Sequence, residues 1–351
     1  MKRFSLILVI SLFGVVQIFA QDTSVKATIT LSHQGKTTDF AYNKMSDAMV
    51  AAEEGDTIYL SAGYILGDVV IDKQVTIIGT GADTSKSGEY TNYGNSKIVV
   101  KMPDNTKLTT RLFEGIYFDN TSVTYQSTNI ENIVFKKCDV YGINIDFNAA
   151  IKSILFDRCI IHGGSYFNNF PEKAIARNCK IYGFYINSNS EGSWQFTNCT
   201  INPSSSGYSG YTGYCCPILS GIFVNCIIDN DNDDYTGFPL YNVTSEDTKS
   251  KASFTNCLFY KPTEGKEIFN GATVENAMYY EASANNVLEN FTKEQLEANR
   301  FYGNDGTVVG CYGGKNPYTL TINKPVISSS KVHFAKDTKQ VQIKMKVSTQ
   351  E

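Results

Sequence analysis

From Asp229 to Tyr235 the chain reads Asp-Asn-Asp-Asn-Asp-Asp-Tyr, which gathers Asp229, Asp231, Asp233 and Asp234 beside a phenol. Just upstream, Tyr208, Tyr211 and Tyr214 are separated by Gly, Ser and Thr. Carboxylates this dense accept hydrogen bonds from hydroxyls or hold a hard cation such as calcium. Tyrosine faces stack on the flat apolar side of a sugar ring while the phenol stays polar. The composition suits a hydroxyl-rich ligand, with Ca2+ as a candidate cofactor. A calcium loop with Gly at its sixth place and Glu at its twelfth is absent, and Asp/Asn clusters also serve as ordinary solvated turns. Paired carboxylates can cleave glycosidic bonds, but only at a set separation. Asp231, Asp233 and Asp234 share one contiguous stretch, which fixes none.

These residues must be positioned by a repeat. Six segments align on Cys138, Cys159, Cys179, Cys199, Cys226 and Cys257, with spacings of 21, 20, 20, 27 and 31 residues. Phe196-Thr-Asn-Cys-Thr-Ile201 and Phe223-Val-Asn-Cys-Ile-Ile228 show the pattern: apolar, polar, turn-former, Cys, variable, apolar. Strand alternation puts Cys and the following Val, Ile or Phe on one face. The residue before Cys is Asn in four of the six units, and Asn tolerates the left-handed backbone of a sharp bend. A unit of about 20 residues that bends at the same place each time stacks on its copies, like upon like. The expected interior holds a Phe stack, a Cys stack and an Ile/Val stack, with an Asn stack at the bend. The cysteines lack the close pairs of zinc sites and read as small buried hydrophobes. Cys215, Cys216 and Cys311 stand outside this ladder.

The long spacings mark insertions after Cys199 and Cys226, which hold the Tyr and Asp clusters and should emerge side by side. A second candidate surface is the row three residues after each ladder Cys: Tyr141, His162, Tyr182, Asn202, Asp229 and Tyr260. Alternation places it on the outer face, where exposed aromatics along parallel strands suit a linear glycan. The competing reading is a row buried under a loop. Arg158 and Arg177 are the ladder's arginines; surface pairing with Asp139 or Asp157 is the expectation for them, ahead of a role as base. With three histidines in the chain, no His-based triad or His-rich metal site is evident.

The Phe-x-Asn-Cys-x-Ile unit resembles the coils of pectin-lyase-like right-handed parallel β-helix proteins, of the type exported by Bacteroidetes. Met45, Ala48, Met49 and Ala52 at helical spacing before Gly55, then Gly55-Asp-Thr-Ile58 and Val75-Thr-Ile-Ile-Gly79, are similar to the capping helix and first coils of such proteins. Asn304 to Tyr318 is similar to their exit segment. The resemblance runs from about Ala41 to Tyr318 and implies a fold that hosts lyases, hydrolases and binding proteins alike. Family lyases use calcium-binding acidic residues and an Arg or Lys base, but no such motif matches here.

Lys2 and Arg3, the apolar run Phe4–Phe19 and Ala20 read as a secretory signal peptide; no later stretch is long and apolar enough to span a bilayer. Without Lys2 and Arg3 the net charge falls from −4 to −6, which offers no footprint for nucleic acid. The expected architecture is all-β: a right-handed parallel β-helix of about ten coils, with a short N-terminal capping helix and a C-terminal β-extension. Residues 1–20 are the signal peptide, 21–318 the β-helix domain and 319–351 the extension, in which Thr319–Ile322 and Val341–Val347 alternate. Thr292 to Asn299 reads as a short capped helix. The expected function is binding of polysaccharide or surface glycan by an exported protein without catalysis. The alternative is a polysaccharide lyase or glycoside hydrolase, supported if carboxylates from different coils converge on one groove. The third reading is a structural or protein-binding surface protein.

Overall fold

The computed structural model describes residues 26–86, 88–109, 112–141, 144–146, 151–162, 172–182, 193–202, 220–229, 251–261, 269, 271–281, 288–320, 325–335 and 340–349. Residues 1–25, which include the expected signal peptide, and most of both insertions lie outside them. Among the described residues no helix is long and apolar enough to cross a membrane.

Strands dominate. The chain visits two long sheets in turn, one strand in each per unit. The first sheet has twelve strands and the second has ten. In the first, parallel strands run from Thr57–Leu60 through Ile133–Lys136, Ser153–Asp157, Lys173–Arg177, Ser193–Thr197, Ile222–Val224 and Ser253–Thr255 to Thr273–Glu275. In the second they run from Gly63–Ile65 through Asp139–Tyr141, Lys180–Tyr182, Thr200–Asn202 and Leu258–Tyr260 to Met278–Tyr280. A third sheet of four strands, Val69–Ile71 to Asn144–Asp146, adds a side to the early units. This topology is compatible with a parallel β-solenoid.

The register delivers the expected stacks. Phe135, Phe156, Ala176, Phe196, Phe223 and Phe254 align across the first sheet. Val140, Ile161, Ile181, Ile201, Ile228 and Phe259 align across the second. Between them the bend residues Lys137, Arg158, Asn178, Asn198, Asn225 and Asn256 all have φ between 50° and 58°. Asn276, with φ 52°, continues the series into a unit in which Ala277 replaces Cys. Arg158 pairs with Asp157 at 2.7 Å.

The ladder thiols are buried and free. Cys159, Cys179 and Cys199 each approach a main-chain carbonyl of the preceding unit at 3.4 Å, so the S–H is a weak donor spanning two units. Burial, joined by neighbouring thiols, pushes Cys159 well above the ordinary thiol range. Burial does the same to Cys179, Cys199 and Cys226. Since the thiolate is the nucleophile, iodoacetamide applied to the native protein should leave these four unlabelled, and all four should react in guanidinium. Native labelling at the rate of a free cysteine, read by peptide mass spectrometry, would refute this packing.

Both ends depart from expectation. The helix Met45–Ala51 ends at Ala52, whereas Gly55 (φ 86°) forms the turn into Thr57–Leu60. A hairpin of Thr28–His33 and Lys36–Ala41 extends the first sheet antiparallel. Asp56, buried at its base, accepts from the Glu53 N–H at 2.8 Å and contacts His33 Nδ1 at 2.9 Å. Burial raises its pKa, but these two partners and Lys73 outweigh that and bring it below the usual range. At the other end the helix Lys293–Ala298 carries the expected cap: Thr292 and Gln295 form a reciprocal capping box. Thr319 and Leu320 are not in a strand; the tail's strands are Pro325–Ala335 and Gln340–Thr349.

Residues 299–320 turn back along the repeat axis, across the bend and onto the outer face of the second sheet. Asn225 donates to Asn304 Oδ1 at 3.0 Å, and Asn198 to Asp305 Oδ2 at 3.4 Å. Asn178 donates to the carbonyls of Cys311 at 3.1 Å and Gly313 at 2.6 Å. Under this return segment a second apolar core forms from Ile227, Leu258 and Tyr260 of the sheet with Leu288, Phe291, Leu296, Val308 and Val309. Of the two readings of the outer row, burial holds for two members: Asp229 is 1% exposed and Tyr260 is 5% exposed. Strand alternation points Tyr260 outward, but Leu288, Phe291, Leu296, Val308 and Val309 pack over that face.

Candidate acid–aromatic cleft

Where the return segment reaches the middle units it leaves an open cleft of about 380 Å3, lined by Asp83 to Ser85, Asp139, Ile160 and Tyr312, with Tyr318 to Leu320 at its end. That volume is within the usual span for small-ligand sites, about 300–1,000 Å3. The second sheet supplies its floor. Cys138 and Val140 point inward and are fully buried, so Asp139 between them points outward, into the cleft. The return segment supplies one wall, and the loop after Gly79 supplies another.

Asp139 is the chemical centre. Its Oδ1 lies 3.0 Å from His162 Nε2, an ion-pair distance, although that oxygen has no well-angled hydrogen bond. Burial pushes the Asp139 carboxyl up, opposed by His162. The His162 ring stacks on Tyr182, with centres 5.5 Å apart and planes 20° apart. Lys180 sits between the rings of Tyr312 and Tyr318, 5.4 and 5.3 Å from their centres. Such contacts are favourable for a cation over an aromatic face, and here they clamp the return segment to the sheet. Burial alone would lower the Lys180 pKa; Cys311, Tyr312 and Tyr182 around it raise it instead. Burial, with Asp139 nearby, pushes the Tyr318 phenol upward. On the loop side, Asp83 Oδ1 accepts from the Ser85 hydroxyl at 2.6 Å.

No family model, curated protein or solved structure matches this chain. The site therefore rests on its own geometry. It presents the Asp139 carboxylate, backed by the His162 imidazole, and the phenols of Tyr312 and Tyr318 beside an open volume. That arrangement can bind hydroxyls, and a protonated Asp139 can also donate to an oxygen. A second depression of about 400 Å3, lined by Asp68, Asn95, Ser96, Lys97, Asn120, Thr121 and Ser122, is larger. Ser96 and Thr121 in its lining are buried, but its titratable groups, Asp68 and Lys97, are exposed, so the Asp139 cleft is the stronger candidate.

Of the residues singled out from sequence, His162 and Tyr182 stack on each other and His162 reaches Asp139, but neither is among the residues that line the cleft. Tyr141 lies in the same strand as Asp139 and pairs with Asp119; its side chain is outside the described residues. Tyr208, Tyr211, Tyr214, Asp231, Asp233, Asp234 and Tyr235 are outside them altogether. Asp229 is buried and is not among the residues that line the cleft. Among the described residues no cluster of His, Cys, Asp and Glu is arranged to hold a metal ion. Sequence reasoning missed Asp83, Lys180, Tyr312 and Tyr318 as site members, and treated Asp139 only as an arginine partner. A signal existed for Asp139. The position after the ladder Cys reads Asp139, Ile160, Lys180, Thr200, Ile227 and Leu258, with one carboxylate in the row.

Proposed function

We propose that this protein is an exported, right-handed parallel β-helix that binds polysaccharide in the Asp139 cleft without cleaving it. The observation that carries the reading is the Asp139 carboxylate at the floor of an open cleft whose lining includes the rings of Tyr312 and Tyr318. Aromatic faces for the apolar side of a pyranose, next to acceptors for its hydroxyls, are the two surfaces a sugar needs. Right-handedness is supported by the strong chirality preference of parallel crossovers. Export is supported by the charged start and apolar run of Lys2 to Ala20.

A second reading, a glycan-cleaving enzyme, is favoured by one specific observation. Asp139 and Asp83, from different units, both line the cleft, and burial favours the protonated form of Asp139, as a general acid requires.

The test incubates the mature chain with a panel of polysaccharides, with and without calcium, and measures both retention and soluble products. Binding predicts retention without products, weakened about tenfold by Asp139→Asn and by Tyr312→Ala, the loss of roughly one charge-assisted hydrogen bond or ring contact. Shortened products abolished by Asp139→Asn would replace binding with catalysis. Retention untouched by both substitutions would remove the cleft from the account. A strict calcium requirement would return attention to the Asp231–Asp234 stretch.

A further inference from the structure

The cleft reading leaves the C-terminal ribbon without a role. Among the described residues, Pro325–Ala335 and Gln340–Thr349 pair only with each other, as an antiparallel two-stranded sheet. Residues 319–351 contain six lysines against Asp337 and Glu351, a net +4. The whole chain carries −4, so the preceding 318 residues carry −8. Charge is therefore segregated, which composition alone marks as an interaction element.

The pairing register concentrates it further. Lys331 stands opposite Lys344, and Ser329 opposite Lys346; His333 opposite Gln342 and Ala335 opposite Gln340 complete the same face. No acidic residue occupies any of these eight positions. The alternate positions pair Ser330 with Met345, Val332 with Ile343 and Phe334 with Val341. Like charges directly opposite each other disfavour a strand pair, and an isolated two-stranded ribbon is marginal in water. A bound polyanion would reverse the first cost and release its own counterions.

We propose that this basic face binds a linear anionic polysaccharide, sulfated or carboxylated. A single extended chain can follow the ribbon alone. A broad anionic surface, such as a bilayer, would also have to accommodate the rest of the chain, which carries −8. This site is separate from the Asp139 cleft.

The experiment compares the full mature chain with Lys331→Gln/Lys344→Gln/Lys346→Gln and with the same three lysines changed to Arg. The probes are dextran sulfate, alginate, uncharged dextran, and vesicles of phosphatidylglycerol in phosphatidylcholine. The parent is expected to bind dextran sulfate and alginate at low salt and to release them as salt rises. The Gln variant should bind at least tenfold more weakly, and the Arg variant like the parent. Any affinity for neutral glycans through the cleft should be the same in all three, so failure here and failure of the cleft reading are told apart. Equal binding of parent and Gln variant to dextran sulfate, or no binding by the parent, would overturn the proposal. So would lysine-dependent binding to the vesicles tighter than to dextran sulfate, which would assign the ribbon to lipid.

Discussion

Phe223→Ala is expected to lower the unfolding free energy by about 3–5 kcal/mol, the usual cost of truncating a buried phenylalanine. Phe223 is fully buried and sits in the tightest part of the aromatic column. Its ring lies 4.6 Å from that of Phe196 at an interplanar angle of 5° and 4.8 Å from that of Phe254. Truncation removes both contacts and leaves a cavity between units that cannot close without shifting the backbone ladder on either side. In a stacked array each unit is held by its nearest neighbours, so the loss should also reduce cooperativity and let the units before and after Phe223 separate in the unfolding transition. The single tryptophan, Trp194, stacks on Phe196 at 5.5 Å and 8°, which makes its fluorescence a local reporter of one side of the break. Urea unfolding followed by Trp fluorescence and by far-ultraviolet circular dichroism checks this. A loss below about 1 kcal/mol, typical of a surface change, would mean that the column does not hold the units together.

Asn178→Ala should cost about 2–4 kcal/mol and loosen the return segment. The side chain has two tasks. It occupies a left-handed bend, φ 53°, where an alanine is disfavoured by about 1–2 kcal/mol, and it donates to the Cys311 and Gly313 carbonyls. An acceptor left buried and unpaired costs about 1–3 kcal/mol. Asn178→Gly separates the two, because glycine keeps the bend and loses the hydrogen bonds. Both variants should speed protease cleavage within residues 299–320 by roughly tenfold, the effect of about 1.4 kcal/mol on a local opening, and only the alanine should add the bend penalty to global unfolding. Cleavage at the parent rate in both would show that the Lys180 clamp and the apolar core around Val308 and Val309 suffice to hold the segment. Gly313 reinforces the point from the other side: a Cβ there would meet the Val308 carbonyl oxygen at 1.9 Å, so the turn that brings its carbonyl to Asn178 admits only glycine.

Much of the repeat was legible before any coordinates, for a physical reason. When like residues stack on like, each interior column is written into the chain at a near-constant interval. Phe196, Phe223 and Phe254, or Asn178, Asn198 and Asn225, report the register by their spacing alone. The left-handed bend follows from residue chemistry, since Asn tolerates it. The capping box of Thr292 and Gln295 is similarly local. The unit at Asn276 was harder to see because Ala277 stands where the marker Cys should be. The antiparallel hairpin at Thr28–Ala41 lacks the repeat altogether.

The site was much less legible. Alternation correctly turned His162, Tyr182, Asp229 and Tyr260 outward, but a strand pattern distinguishes only the two faces of a sheet. It does not say whether another part of the chain lies over the outer one. Only the tertiary structure decided that residues 299–320 fold back across Asn178 and Asn198, more than 100 positions earlier, that Tyr260 is enclosed with Leu288, Phe291, Val308 and Val309, and that an opening remains at Asp139. The contacts responsible, Asn178 to Gly313 and Lys180 between Tyr312 and Tyr318, join residues with no periodic relation to one another. By itself, then, the sequence determined what stacks inside, because a repeated contact needs a repeated residue. What is covered and what stays open on the outside was decided by single long-range contacts, which leave no period to read.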